Sequence, residues 1–181
     1  SCGARTRGDQ CDACGEIFDS DTVIEALCAE CGTTPRFRKT TQLYLLISKL
    51  ARQLTEYLNA HANWRKNAIA FTKRYIDEGL RDRAITRDLD WGIDVPKEGY
   101  SGKKIYIWAE NVLGYLSVSA EVCRERGISF TELFGDDSRH YYVHGKDNIP
   151  FHTIILPSLL IAHGEGLRLP DDIISSEYLT L

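Results

Sequence analysis

Two Cys-x-x-Cys pairs, Cys11 with Cys14 and Cys28 with Cys31, stand thirteen residues apart near the start of the chain, each followed by a glycine, Gly15 and Gly32. Thiolates at this spacing on a glycine-containing turn converge on one tetrahedral ion, which is zinc-ligand chemistry. Four thiolates closing a single site is the simplest reading; disulfides or free thiols are the alternative. Cys2 reads as the second half of a further pair whose first member is absent, so the chain is expected to begin inside a motif. Cys123 sits alone in a helical pattern and reads as a small buried hydrophobe.

A second group of residues suggests ligand binding at strand ends. HGKDN, residues 144–148, follows an apolar run and opens a helix. Gly145 permits close backbone approach, Asp147 can accept ribose hydroxyls, and a helix amino terminus favours an anion. An ordinary glycine turn with an Asp or Asn cap accounts for the same residues. His152 falls one helical turn further on and points back toward that strand end, as a structural histidine or as part of a site. Trp108 and Tyr115 bracket the end of another apolar run, where they line a pocket or pack a core. Arg87 lies in the charged segment ITRDLDWG, where a fixed guanidinium and a solvated salt bridge are both open readings.

These groups need elements to hold them. Residues 1–38 lack periodicity and are expected to be ordered by metal rather than by a core. From Leu43 to Leu58 apolar residues recur at helical spacing, and a second helix is expected from about Trp64 to Glu78, stopping at Gly79. After the loop RDLDWGIDVPKEGYSGK come KIYIWA (104–109) as a strand, 111–127 as a helix, HYYVHG (140–145) as a strand, 148–164 as a helix and 172–181 as a third strand. That alternation predicts an α/β fold with parallel β-α-β units. The expected divisions are 1–38, 39–98 and 99–181.

At 181 residues and a net charge of −4, the chain has room for one ordinary domain and a small satellite, and no general attraction to phosphate. Without a run of eighteen apolar residues or a signal-like start, a soluble, cytoplasmic chain with no membrane partner is expected.

Several separated motifs together resemble the methionyl-tRNA synthetases. They are GDQCDACG with CAECGTTPRFR, AITRDLDWGIDVP, KIYIWAENVLGYLS, YYVHGKDNIPFHTIILPSLLIA and LPDDIISSEYLTL, in the family's order and over essentially the whole chain. The resemblance implies a partial Rossmann-type sheet, the second half of a class I catalytic sheet, beside a small zinc-knuckle and helical segment, the later part of a connective insertion. The family's His-Ile-Gly-His signature and its lysine-containing loop of the KMSKS type are expected to lie outside the chain, so that the fragment alone would be inactive. It implies methionine, ATP with Mg²⁺, and tRNA(Met) as partners. Trp108, Tyr115 and His152 then match positions lining the methionine pocket. Gly145, Asp147 and the backbone near Leu179 match positions holding adenosine, and Arg87 matches an arginine that stabilises charge during adenylate formation. The family's two-knuckle arrangement nests the pairs, so Cys2, Cys11 and Cys14 would share one Zn²⁺ while Cys28 and Cys31 belong to another. Asn111, Val112 and Leu113 replace the Ala-Pro-Ile of many relatives, and Leu156 stands where some carry an aromatic, which alters pocket shape. The alternative is a non-catalytic zinc-knuckle RNA-binding or structural module; ARTRGDQ and PRFRK against EIFDSD and EALCAE give it a mixed charge pattern.

Overall fold

The structure, a computed structural model, describes residues 2–5, 11, 13–14, 18 and 20–177. The chain divides into two units, Ser1–Thr41 and Gln42–Leu181. In the first, regular structure among the described residues is limited to a 3₁₀ turn at Ser20–Thr22. The second Cys pair closes a tight turn there: the Gly32 amide donates to the Cys28 carbonyl at 2.9 Å and the Cys28 amide to the Thr33 carbonyl at 2.8 Å. Gly32 takes a left-handed φ of 70°, open to glycine at little cost.

The second unit opens with β1 (Tyr44–Leu45) and a 3₁₀ turn at Ile47–Leu50, leading into α1 (Ala51–Ala60) and α2 (Lys66–Asp77). The helix expected from Leu43 thus begins eight residues later, at Ala51. Long-range hydrogen bonds override the local periodicity. The Leu43 amide donates to Thr86 Oγ1 at 3.0 Å, the Ser48 amide to Asp82 Oδ1 at 2.9 Å, and β1 pairs antiparallel with β2 (Arg83–Ala84). In α1, Leu54, Tyr57 and Leu58 are buried while Arg52 pairs outward with Glu56 at 3.0 Å. Helix α2 buries Ala68 and Thr72 and is terminated by Gly79, which adopts a φ of 91°.

Next, β3 (Thr86–Arg87) pairs antiparallel with β4 (Lys104–Ile105). KIYIWA is therefore strand only in its first two residues and belongs to no parallel sheet. The Tyr106 amide is taken by the Ile85 carbonyl at 2.9 Å, after which the chain turns into α3 (Ile107–Glu110), a 3₁₀ turn and α4 (Gly114–Arg126). Helix α4 ends as expected at Gly127, left-handed at φ 67°. The short α5 (Phe130–Phe134) carries a capping box made by Ser129 and Glu132.

The β-α-β unit follows. β5 (Tyr141–Gly145) pairs parallel with β6 (Asp172–Ser176), in register from Tyr141↔Asp172 to Gly145↔Ser176, across α6 (Leu156–His163). Within the crossover, Phe151–Ile155 form a single π-helical turn immediately ahead of α6. Pro157 has no amide to close onto the carbonyl four residues back, and its ring crowds that carbonyl, so the backbone widens there. Alternation sorts the sheet: Ile173 and Ser175 are buried, whereas Tyr141 and Val143 stay largely exposed.

The core lies between the helical pair and this sheet. Tyr57, Leu58, Trp64, Ala68, Ile149 and Ile173 form one buried cluster, and Thr72 donates across to Thr153 at 2.8 Å. Tyr57 Oη donates to the Pro170 carbonyl at 2.7 Å and Trp64 Nε1 to the Asp171 carbonyl at 3.0 Å, tying the helices to the entrance of β6. Burial pushes the Tyr57 phenol far above its ordinary range, so it remains a donor at any working pH. Tyr57→Phe would leave the Pro170 carbonyl without this donor. We expect a loss of about 1–2 kcal/mol in urea unfolding, with the m-value unchanged.

Candidate functional site

The carboxyl ends of β5 and β6 carry the densest set of polar and aromatic side chains. β5 finishes at Gly145, and a 3₁₀ turn, Lys146–Asn148, leads into the crossover. A Cβ on Gly145 would lie 2.6 Å from Asp147 Oδ1, so only glycine lets the Asp147 side chain fold back over the strand end. Beyond the last paired residues, Lys146 Nζ meets Glu177 Oε2 at 2.6 Å. The Lys146 ammonium, followed by the Asn67 amide, holds the Glu177 carboxyl below its usual range.

His152 sits in the π-helical turn, 4% exposed. Its Nδ1 lies 2.9 Å from the Asn148 carbonyl oxygen, which only accepts, so Nδ1 carries the proton and Nε2 accepts from the Tyr115 hydroxyl at 2.9 Å. The ring is stacked on His144 at 4.2 Å and lies 5.4 Å from the Tyr142 ring. Burial lowers its pKa to about 4, helped by the neighbouring His144 and opposed by the Asn148 hydrogen bond. His152 is therefore neutral at physiological pH. Trp108, on α3, stacks on Phe151 at 5.0 Å; it and Tyr115 remain nearly half exposed. The result is an aromatic wall of Tyr115, Tyr142, His144 and His152, with the Trp108–Phe151 pair beside it in sequence.

Three contacts among the described residues help to fix Arg87. Its Nη1 donates to the Thr86 carbonyl at 2.9 Å and the Ala84 carbonyl at 3.0 Å, and its guanidinium carbon sits 4.1 Å over the Tyr106 ring. Carbonyls from β2 and β3 and the ring just after β4 thus hold the arginine, and Tyr106 leads directly into the helix bearing Trp108.

In the first unit, one ligand atom each from Cys2, Cys11 and Cys14 lies within 4.8 Å of the others, with Cys2 and Cys11 sulfurs 3.6 Å apart. Tetrahedral zinc with sulfur at about 2.3 Å separates its sulfurs by about 3.8 Å, so this donor set fits with slight closure. Backbone amides of Cys14 and Ala13 aimed at the Cys11 sulfur lower its pKa, and Cys31 is lowered by the Thr33 side chain, 3.0 Å away, and by the Thr33 backbone. Amide and hydroxyl donors on sulfur favour the thiolate a metal requires. Among the described residues Cys28 and Cys31 are not part of the three-cysteine group.

Sequence reasoning singled out Tyr115 and His152, which the structure brings into hydrogen-bond contact, and Gly145 and Asp147, which it places together. Leu179 lies outside the described residues. Sequence reasoning passed over His144, whose Nε2 is buried without a hydrogen-bond partner among the described residues, along with Tyr142, Phe151, Asn67 and Glu177. The period-2 alternation that turns Tyr142 and His144 to one face was the available signal for the first two.

The profile of the family described as tRNA synthetases class I (M) matches residues 1–181. The chain belongs to the class I tRNA synthetases, in the branch designated M. It is 47% identical over 187 residues to the methionine–tRNA ligase of Streptococcus pneumoniae (strain CGSP14), a match covering all of this chain and 34% of that enzyme. To the methionine–tRNA ligase of Dehalococcoides mccartyi it is 48% identical over 177 residues, 97% of this chain and 32% of that one. The chain thus spans about a third of the length of these relatives. Among solved structures, the Mycobacterium tuberculosis methionyl-tRNA synthetase bound by methionyl-adenylate superposes with a TM-score of 0.66 at 22% identity, covering 84% of this chain and 29% of that one. Its free form gives 0.68 at 20% identity, covering 90% and 33%. The fold is accordingly α/β, a partial Rossmann-type parallel sheet with helices packed against it.

The buried neutral His152 sets a pH dependence. The unfolded chain takes up this proton near pH 6.5 and the folded chain only near 4, so the contribution is complete above 6.5 and is lost as pH falls through that window. In His152→Gln, the drop in unfolding free energy between pH 7 and pH 4.5 should shrink by about 2 kcal/mol. An unchanged acid limb in the variant would count against this assignment.

Proposed function

We propose that this chain forms part of a methionine–tRNA ligase, contributing the methionine pocket, part of the adenosine site and an arginine that faces the transferred phosphate. The observation that carries the reading is the wall of Tyr115, Tyr142, His144 and His152 at the ends of parallel strands, where α/β folds bind ligands. The implied chemistry has two steps. A carboxylate oxygen of methionine attacks the α-phosphorus of ATP and pyrophosphate leaves; then a terminal ribose hydroxyl of tRNA(Met) takes the methionyl group and AMP leaves.

Each residue has a defined part. Trp108, Tyr115 and His152 surround the thioether side chain; His152 is neutral and its Nε2 is taken by Tyr115, which suits an apolar sulfur-containing chain. Asp147 accepts the ribose hydroxyls, and Gly145 permits the backbone's approach. Arg87, already held by two carbonyls and a ring, neutralises phosphate charge without reorganising. Mg²⁺ accompanies ATP and screens its phosphates. Zinc held by Cys2, Cys11 and Cys14 orders the amino-terminal unit and takes no part in the reaction.

The test is a chimera in which residues 1–181 replace the matching third of the Streptococcus pneumoniae enzyme. Methionine-dependent exchange of pyrophosphate into ATP should persist, and Tyr115→Ala in the chimera should raise KM for methionine about tenfold or more while KM for ATP stays within about twofold. A folded chimera without exchange, or equal effects on both substrates, would sink the reading.

The metal assignment has its own test. The purified chain should hold at most one zinc, lost on Cys2→Ser and kept on Cys28→Ser. Two tightly held zinc ions, or the reverse pattern of loss, would contradict the grouping of Cys2 with Cys11 and Cys14.

A further inference from the structure

One polar cluster at the strand ends has no place in the chemistry above. Asn67, in the first turn of α2, reaches the end of β6: its Nδ2 donates to Glu177 Oε1 at 2.9 Å and its Oδ1 accepts from Ser175 Oγ at 2.6 Å and from the Ala68 amide at 2.8 Å. Glu177 uses its second oxygen on Lys146, the residue after Gly145. The last paired residues of the parallel ladder are Gly145 and Ser176, so Lys146 and Glu177 are the next rung, closed by side chains instead of backbone. Two sequence-distant segments meet there: Asn67 and Glu177 are 110 residues apart. The positive end of α2 lies beside the Glu177 carboxylate and reinforces it.

We propose that Asn67 and Glu177 are positioning residues, which with Lys146 form a latch over the carboxyl ends of β5 and β6 and hold the 145–148 turn in the geometry that receives a nucleotide. None of the three needs to touch the nucleotide. Their effect passes through the turn, because Lys146 is followed at once by Asp147, whose carboxylate is folded against Gly145. An exposed ion pair alone would order the turn little, but both Glu177 oxygens are occupied from different elements, which fixes the side chain's direction. The connective helices thereby set the nucleotide end of the sheet as well as packing against its face. This role rests on the ligase reading above.

The bond pattern permits a test by inversion. Asn67→Asp keeps the acceptor for Ser175 and Ala68 but sets two carboxylates against each other. Adding Glu177→Gln remakes the link to residue 177 with its polarity reversed: the Gln amide donates to Asp, its carbonyl accepts from Lys146, and net charge returns to the starting value, only the long Asn67 Nδ2 contact to the Ser175 carbonyl at 3.5 Å staying lost.

In the chimera described above, Asn67→Asp should speed hydrogen exchange of the Ile149 amide, which closes the turn onto the Lys146 carbonyl, by about tenfold, with exchange in α4 unchanged. It should raise KM for ATP about tenfold in pyrophosphate exchange and leave KM for methionine within about twofold. The double variant should bring both quantities to within about threefold of the parent. Unchanged exchange at Ile149, or a double variant no better than the single, overturns the latch. Rescued hydrogen exchange with no effect on KM for ATP overturns the positioning role. A folded parent chimera without methionine-dependent activity would overturn the ligase reading and with it the nucleotide role, while the hydrogen-exchange arm would still decide the latch.

Discussion

The arrangement of the candidate site in the second unit depends on how the helical pair α1–α2 is fastened to β6. A two-stranded parallel sheet has little stability of its own, since it buries one face only if something covers it. Here the cover is Tyr57, Leu58, Trp64 and Ala68, and the attachment is directional as well as apolar. Tyr57 and Trp64 donate to carbonyls at the entrance of β6, Thr72 meets Thr153 in the crossover, and Asn67 reaches the exit of the strand. Apolar burial would hold the layers together; the hydrogen bonds choose the register in which they meet. The buried Tyr57, at 7% exposure, leaves its partner carbonyl no alternative donor from solvent.

From that seam the geometry of the site follows. With β5 and β6 fixed, Tyr142 and His144 face inward, and the π-helical turn delivers His152 against His144 and toward Tyr115. The histidine's tautomer is decided by a backbone carbonyl and its charge by burial, so both are properties of the fold before any ligand arrives. Arg87 is prepared in the same manner on a separate pair of short strands, by carbonyls and a tyrosine ring.

Local signals in the sequence were legible where local chemistry decides. Within the runs expected as strands at 140–145 and 172–181, Tyr141–Gly145 and Asp172–Ser176 form the parallel pair, and Gly79 and Gly127 stop helices where a left-handed residue was needed. The Cys-x-x-Cys spacing pointed to convergent sulfurs, although the first set to converge includes Cys2 and not the second pair. Among the candidate site residues, the strand-end rule and a one-turn helical offset were enough to associate His152 with the region of Gly145 and Asp147. What remained illegible depends on distant partners. Leu43 and Tyr44 have helical periodicity but are extended because Thr86 and the 83–84 strand claim their backbone. Tyr106 looks like mid-strand, yet its partner strand has already ended. Asn67 reads as an unremarkable helix residue, and Glu177 as a lone charge in an apolar run, until the fold brings them together.

The separation along the chain between the two sides of the seam has a consequence for how the protein is made. Tyr57 and the Pro170 carbonyl are 113 residues apart, and Trp64 and Asp171 are 107 apart. At ribosomal elongation rates of about 5–20 residues per second, the helical pair emerges on the order of ten seconds before β6 exists to receive it. Throughout that interval the face bearing Tyr57, Leu58, Trp64 and Ala68 lacks its cover from Ile149 and Ile173, and the contacts across the seam must close a long loop once β6 has emerged. Chaperone dependence and sensitivity to translation speed should therefore concentrate on this helical pair, a demand set by the order of the segments in the chain and invisible in the finished fold.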